Sequence, residues 1–122
     1  MSTVDDESRF RPEAFRCVVS EGRASALVEL HGELDMATGP EAEAALGSVL
    51  GKRRVTLDLR QLDFIDRTGL RLILDIDALA RQDGFNFFVV RGPSHVQRLF
   101  ALTQTEEHLV FIDAPEEITP PE

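Results

Sequence analysis

The most informative part of this chain reads Leu62-Asp63-Phe64-Ile65-Asp66-Arg67-Thr68-Gly69-Leu70-Arg71. It joins an alternating apolar run at residues 55–59, typical of a strand, to a helical pattern over about 68–82. Asp66 is the predicted N-cap of this helix, because its carboxylate can accept an N–H group two or three residues later. Thr68 then lies near the second helical position, with its hydroxyl free to face solvent. Unpaired N–H groups and the positive end of the helix dipole suit this position to a phosphate group.

Apolar periodicity elsewhere predicts a chain in which strands and helices alternate. Predicted strands occupy residues 15–20, 26–30, 55–59, 85–90 and 109–112, and predicted helices occupy 41–50, 68–82 and a segment after Ser94. Residues 31–40 are predicted to form a loop, and Ser94 is the expected N-cap of the third helix. Helix-length connections between strands indicate parallel neighbours. The pattern therefore predicts an α/β fold in which helices pack against a mixed sheet with a parallel centre.

The composition describes one acidic globular domain. The chain has 122 residues, of which 43% are hydrophobic and 29% charged, enough for a single core. Its net charge of −9 disfavours nucleic acids and anionic membranes as partners, since both carry negative charge. We expect a cytoplasmic protein, because no apolar stretch is long enough to cross a membrane and the polar start lacks a signal-peptide pattern. The predicted domain covers residues 13–113, with flexible ends at 1–12 and 114–122.

Residues that could support catalysis or metal binding are few and scattered. Cys17 is the single cysteine, and its apolar neighbours indicate a strand residue. His31, His95 and His108 show neither a metal-ligand spacing nor a nucleophile motif beside them. We therefore expect no catalytic residue, no metal and no cofactor, and a protein that is not an enzyme. A small hydrolase would require a deep cleft in which His31 or His95 meets a serine or cysteine.

Three parts of the sequence resemble the STAS domain of bacterial anti-sigma factor antagonists. They are Gly32-Glu33-Leu34-Asp35, the strand Val55-Thr56-Leu57-Asp58-Leu59, and Phe64-Ile65-Asp66-Arg67-Thr68-Gly69-Leu70 at the start of the next helix. The resemblance covers roughly residues 15–112 and agrees with the predicted order of elements. It implies a STAS-type fold, with a mixed sheet of four to five strands and helices packed mainly on one face. It also implies a cytoplasmic module that binds an anti-sigma factor, a serine/threonine kinase of the GHKL type, and thereby releases a sigma factor.

The resemblance also implies a phosphorylation switch. The family's usual pattern, Asp-Ser-Ser/Thr-Gly, maps its phosphorylated hydroxyl onto Thr68 and its flanking residues onto Asp66 and Gly69. The bound kinase is expected to phosphorylate Thr68 and so end binding, and a PP2C-type phosphatase is expected to reverse this. Arg67 stands where the family usually has its first hydroxyl residue, and this change can alter which kinase docks. The residues expected to contact the partner are Glu33, Asp35, Asp66, Arg67, Gly69 and Arg71.

Several of these residues also have structural interpretations. A threonine at a helix start commonly satisfies an unpaired N–H, and Glu33 with Asp35 could form a solvated turn. Gly69 would keep side-chain bulk away from an approaching surface, and Arg67 would pair with a phosphate on Thr68. The alternative function is a STAS module that is never phosphorylated and serves as a scaffold or a ligand-sensing subunit. Arg67 is the feature that favours this alternative.

Overall fold

Six strands and three helices make up most of residues 15–115, the part of the chain that this computed structural model describes. The strands are β1 (Phe15–Glu21), β2 (Ser25–Leu34), β3 (Arg54–Asp58), β4 (Leu62–Ile65), β5 (Asn86–Val90) and β6 (Phe111–Ile112). The helices are α1 (Gly39–Gly47), α2 (Arg67–Asp83) and α3 (Ser94–Leu102), and a short 3₁₀ turn covers Glu106–His108. The end predicted to be flexible at 1–12, and residues 116–122 of the other predicted end, lie outside the described residues.

The sheet is mixed and has a parallel centre, as predicted. Its order is β1-β2-β3-β5-β6, and β4 pairs separately with the end of β2. β1 forms an antiparallel hairpin with β2, whereas every other pairing in the described sheet is parallel. The carboxyl ends of β2, β3 and β5 therefore lie at one edge of the sheet, and the segments that lead into the helices leave from that edge.

One face of the sheet carries the core. Ala26 and Val28 of β2 pair with Val55 and Leu57 of β3, and all four are at most 4% exposed. The alternate residues on the other face of β2 are only half-buried. The helices complete the same apolar cluster with Ala42, Leu46, Leu70, Ile73, Ile76, Ala80, Val96 and Phe100. The helices thus pack mainly on one face, in agreement with the prediction.

The described sheet has six strands, one more than the expected four to five, because Leu62–Ile65 forms β4. This segment is short and its burial does not alternate, since Leu62 and Ile65 are buried and the two residues between them are exposed. It forms a strand because the end of β2, at Gly32–Leu34, extends beyond β3 and is available for parallel pairing. β2 accordingly continues to Leu34, and the prediction of a loop from residue 31 was wrong.

Gly32 makes this change of pairing partner possible. β2 pairs with β3 as far as Glu29 and with β4 from Gly32, and the register shifts between Gly32 and Glu33. Gly32 has a φ of 98°, a conformation that glycine adopts without the steric cost of a side chain. The resulting bulge lets β2 pair first with β3 and then with β4.

Two predicted helix boundaries were wrong. α1 ends at Gly47 instead of continuing to residue 50. Ser94 is the first residue of α3 and makes no capping hydrogen bond, because Pro93, with a ψ of 161°, is the extended residue at the N-cap position. Pro40 lies in the first turn of α1, as predicted, where its missing N–H costs no hydrogen bond.

Candidate functional site

The start of α2 is fixed by Asp66. This residue is the N-cap, as predicted, and its Oδ1 accepts the N–H of Gly69 at 3.1 Å. Its own N–H donates to the carbonyl oxygen of Leu34 at 3.1 Å, which ties the helix start to the end of β2. A cap of this kind contributes about 1 kcal/mol to stability. Asp66 therefore sets the geometry of the first turn, in which Arg67 and Thr68 are both exposed.

Thr68 is exposed at the second residue of α2, as predicted. Among the described residues 15–115, its hydroxyl has no hydrogen-bond partner. Its methyl carbon lies against the start of α1, 3.6 Å from the position that a side chain on Gly39 would occupy. Thr68 also lines an open cleft of about 280 Å³ between α1 and α2, together with Met36 and Arg71. A group added to the hydroxyl would therefore enter solvent beside this cleft.

Gly69 has a different role from the one predicted. It is buried in the first turn of α2, facing away from the surface. A Cβ at this position would lie 2.7 Å from Cγ of Leu34 and 2.9 Å from Cγ1 of Ile65. The prediction that Gly69 leaves room for an approaching partner was wrong, because Leu34 and Ile65 fill that room. The glycine lets α2 begin close against β2 and β4.

Asp35 is engaged in a tight turn between β2 and α1. Its Oδ1 accepts the N–H groups of Ala37 at 2.9 Å and Thr38 at 3.1 Å. The Thr38 hydroxyl donates to the carbonyl oxygen of Glu33 at 2.7 Å and accepts the N–H of Asp35 at 2.9 Å. These reciprocal bonds give Asp35 and Thr38 a structural role. Glu33, at the end of β2, remains exposed.

Two residues of this region were not identified from the sequence. Thr38 closes the turn, and its signal was its place three residues after Asp35, a spacing that suits reciprocal side-chain and backbone bonds. Met36 is 74% exposed and lines the cleft beside Thr68. A lone methionine in a loop has no periodic pattern, so no sequence signal could have placed it there.

Arg67 and Arg71 give the exposed side of α2 a local positive charge. They lie four residues apart, so they are neighbours on one helix face, and both are exposed. Neither forms an ion pair with another residue of the described segment. Arg60 differs, since its guanidinium is 2.8 Å from the carboxylate of buried Asp58. Charges of both signs surround the cleft beside Thr68, because Glu43 and Asp75 also line it.

The hydrogen bonds of His31 and His95, the histidines considered for a hydrolase, do not involve a serine or a cysteine among residues 15–115. The His31 ring is 3.1 Å from Oε1 of Glu29 and 3.3 Å from the guanidinium of Arg16. Nε2 of His95 is 2.6 Å from the carbonyl oxygen of Asp63 in β4. Their hydrogen bonds therefore link them to charged side chains and to the backbone.

Cys17 lies on β1 and is half-buried. Burial, with a further contribution from the Glu41 carboxylate, raises the pKa of its thiol to about 11. The thiol is therefore protonated at neutral pH, and the place of Cys17 on β1 confirms the prediction of a strand residue.

Within residues 15–115, none of the helices has the length and apolar character needed to span a bilayer.

The comparisons with known proteins identify the family. A family model described as Mlab, STAS domain, matches residues 17–111, and the chain therefore belongs to the STAS domain family. The protein named "Putative anti-sigma factor antagonist BtrV", from Bordetella bronchiseptica, is 33% identical over 76 residues. That match covers 61% of this chain and 66% of the relative, slightly less than two thirds of its length.

Solved structures share the fold. An anti-sigma factor antagonist from Mycobacterium paratuberculosis superposes with a TM-score of 0.71 at 22% identity, covering 87% of this chain and 92% of that one. The anti-sigma factor antagonist SpoIIAA in its unphosphorylated form gives a TM-score of 0.69 at 18% identity, covering 85% of this chain and 91% of that one. These likenesses confirm the STAS-type fold that the sequence motifs imply.

Proposed function

We propose that this protein is a cytoplasmic anti-sigma factor antagonist. Its unphosphorylated form binds an anti-sigma factor, a serine/threonine kinase of the GHKL type, and so releases a sigma factor. The kinase phosphorylates Thr68, which ends binding, and a PP2C-type phosphatase restores the active form. The observation that carries the proposal is the exposed hydroxyl of Thr68, without a partner among residues 15–115, at the start of α2 in a STAS-family chain. The names of its relatives support the class of partner.

Phosphorylation of Thr68 would change the surface more than the fold. A phosphoryl group adds about −1.5 to −2 charges. The N–H groups of the helix start and the guanidinium of Arg71, three residues later, both favour an anion there. A partner docked over the helix start would meet a bulky dianion in place of a hydroxyl. Losing about 3–4 kcal/mol of binding lowers affinity by about two to three powers of ten, which is sufficient for an on/off response.

The remaining predicted contact residues divide into two groups in this proposal. Asp35, Asp66 and Gly69 shape the surface, through the turn before α1, the cap of α2 and the close approach of α2 to the sheet. Glu33, Arg67 and Arg71 are exposed and available to touch the partner directly. The second group is the one in which substitutions should change affinity without changing stability.

The proposal is tested with the purified GHKL-type kinases encoded in the source organism. Each is mixed with the wild-type protein, and binding is measured by isothermal titration calorimetry with ADP present. We expect one kinase to bind the wild type and Thr68→Ala with similar affinity, and Thr68→Glu at least a hundredfold more weakly. Incubation with ATP should add one phosphate to the wild type and none to Thr68→Ala, as measured by intact-protein mass spectrometry.

Ser20→Glu is the matched control for added charge. Ser20 is exposed on β1 and pairs with Leu27 near the beginning of β2, at the other end of that strand from Leu34. It should bind the kinase like the wild type. Equal affinities of Thr68→Ala and Thr68→Glu, or a phosphate on another residue, would reject the proposed switch.

A second function is favoured by one observation. Arg67 places a bulky cation where the family usually has a hydroxyl, directly beside the acceptor. In this alternative the chain is a scaffold or ligand-sensing subunit of a signalling complex and Thr68 is never modified. Mass spectrometry of the protein isolated from its own cells distinguishes the two, since only the switch leaves a phosphate on Thr68.

A further inference from the structure

A long groove follows the exposed face of α2. Its first part, of about 510 Å³, is lined by Arg67, Leu70, Arg71, Leu74 and Asp75 of α2 and by Thr103, just after α3. Its second part, of about 340 Å³, begins at the same Leu74 and continues past Asp77, Ala78 and Arg81 to Thr105 and His108. Leu74 lines both parts, so the two cavities adjoin at this residue along α2, and we call the pair the α2 groove.

The length of the α2 groove suits a helix. Residues 67, 71, 74, 78 and 81 recur at helical spacing, so they lie along one face of α2. At 1.5 Å per residue, this face extends for about 21 Å, the length of a helix of about four turns. An amphipathic helix that lies in a groove is a common form of protein recognition.

The charges at the Arg67 end of the α2 groove favour an acidic occupant. Arg67 and Arg71 stand at one end, and neither is paired with another described residue. Arg81, at the other end, is already engaged by Asp77 at 2.9 Å and by the carbonyl oxygen of His108 at 2.6 Å. Asp75 lies one turn beyond Arg71 and offsets one of these charges, so the Arg67 end of the groove keeps a net positive charge on a chain whose net charge is −9. This positive end complements carboxylates placed at one end of a partner helix.

The middle of the α2 groove is apolar. Leu70 is buried and Leu74 is half-buried, and both present apolar atoms to the open space. An occupant with leucine-like residues on one face would cover this surface.

We propose that the α2 groove docks an acidic, amphipathic helix of the anti-sigma factor. This inference rests on the proposed function and identifies where and how that partner is held. It also extends the contact surface well beyond the helix start, along about four turns of α2.

The α2 groove is connected to the switch through Arg71. This residue lines both the cleft beside Thr68 and the groove. Thr68 and Arg71 are three residues apart, so a phosphate on Thr68 is within reach of the Arg71 guanidinium. The phosphate would then occupy the group that holds the partner's carboxylates. Phosphorylation thereby weakens docking even where the partner does not cover Thr68 itself.

The test uses two synthetic 15-residue helical peptides and the full chain labelled with ¹⁵N. Both peptides carry leucine on one face. All remaining positions are glutamate in the first peptide and lysine in the second. We expect the glutamate peptide to shift the amide signals of Leu70, Leu74 and Thr103 and to bind at least tenfold more tightly than the lysine peptide. The preference is diagnostic because the overall charge of −9 would attract the lysine peptide instead. A lysine peptide that binds equally well, or shifts confined to other surfaces, would overturn the proposal.

Substitutions in the protein test which residues hold the glutamate peptide. Arg67→Gln/Arg71→Gln should weaken the glutamate peptide at least tenfold, and Thr68→Glu should weaken it several-fold. The matched control is Arg23→Gln/Arg53→Gln, which removes two exposed arginines within two residues of the start of β2 and β3, at the edge of the sheet opposite its carboxyl ends. This control should stay within twofold of the wild type.

The same variants are then measured against the kinase that binds the wild-type protein. If no kinase binds, the proposed function fails, and the peptide experiment still decides whether the α2 groove accepts an acidic helix. If a kinase binds and Arg67→Gln/Arg71→Gln leaves its affinity within twofold, the groove proposal is wrong and the proposed function stands. A tenfold loss for this variant, with an unchanged control, supports both.

Discussion

Replacement of Gly69 by alanine would test how the start of α2 is held against the sheet. Two effects oppose each other. Alanine favours a helix over glycine by about 1 kcal/mol. However, the new Cβ would lie 2.7 Å from Cγ of Leu34 and 2.9 Å from Cγ1 of Ile65, separations that carbon atoms do not adopt. Leu34 is 0% and Ile65 6% exposed, so neither side chain can move aside into solvent.

The magnitude follows from these contacts. Overpacking a filled core costs about 1–3 kcal/mol, and the two close contacts to the fully buried Leu34 put Gly69→Ala in the upper part of this range, at about 2–3 kcal/mol. After the gain in helix propensity is subtracted, we expect Gly69→Ala to lower the free energy of unfolding by about 1–2 kcal/mol. Leu34→Val should be less harmful in the Gly69→Ala background than alone, because it removes part of the clash.

The assay is urea denaturation followed by far-ultraviolet circular dichroism, since the chain contains no tryptophan or tyrosine. Gly47→Ala is the matched control. Gly47 is exposed at the end of α1, and a Cβ there would meet nothing within 4 Å. We expect this control to keep the free energy of unfolding or raise it by up to about 1 kcal/mol. Gly69→Ala should lower the urea midpoint without changing the dependence of the free energy of unfolding on urea concentration. A Gly69→Ala protein as stable as the parent would refute the packing argument.

Two further predictions concern the cap and the thiol. Asp66→Ala should lower the free energy of unfolding by about 1 kcal/mol, because the N–H of Gly69 loses its acceptor, and Asp66→Asn should restore most of it; equal urea midpoints for the three proteins would contradict this. Cys17 should react with iodoacetamide at pH 8 at least tenfold more slowly in the folded than in the urea-unfolded chain, because burial and the Glu41 carboxylate raise the pKa of its thiol to about 11. Glu41→Gln should speed the folded-state reaction, and identical folded and unfolded rates would show that the thiolate is not disfavoured.

Local patterns were sufficient to predict most of the fold. β3 was predictable because its apolar residues alternate, and α2 because Asp66 and the apolar stripe define both its start and its buried face. β4 was not predictable from its own residues, since its two buried positions lie at its ends. It is a strand only because Gly32 shifts the register of β2, and that pairing joins residues distant in sequence.

Some features of the candidate site were likewise predictable from local sequence, and others were not. The exposure of Thr68 was predictable because it depends on the cap, Asp66, two residues earlier. The role of Gly69 was not, because Leu34 and Ile65 reach it only through the tertiary pairing of β2 with β4. The α2 groove was equally out of reach, since one of its walls comes from Thr103 and the turn after α3.

Leu34 bears on whether phosphorylation would change the backbone in the proposed switch. Its carbonyl oxygen accepts the N–H of Asp66, and its side chain fills the space beside Gly69, so the first turn of α2 is held from two sides. A partner that approaches this turn meets a preorganised surface and has little loop entropy to remove. The two phosphorylation states should then share one backbone, and the difference between them should lie mainly in how long the complex survives before it dissociates. The upstream signal would then be recorded only by the phosphate ester on Thr68, while the backbone of the domain stays the same.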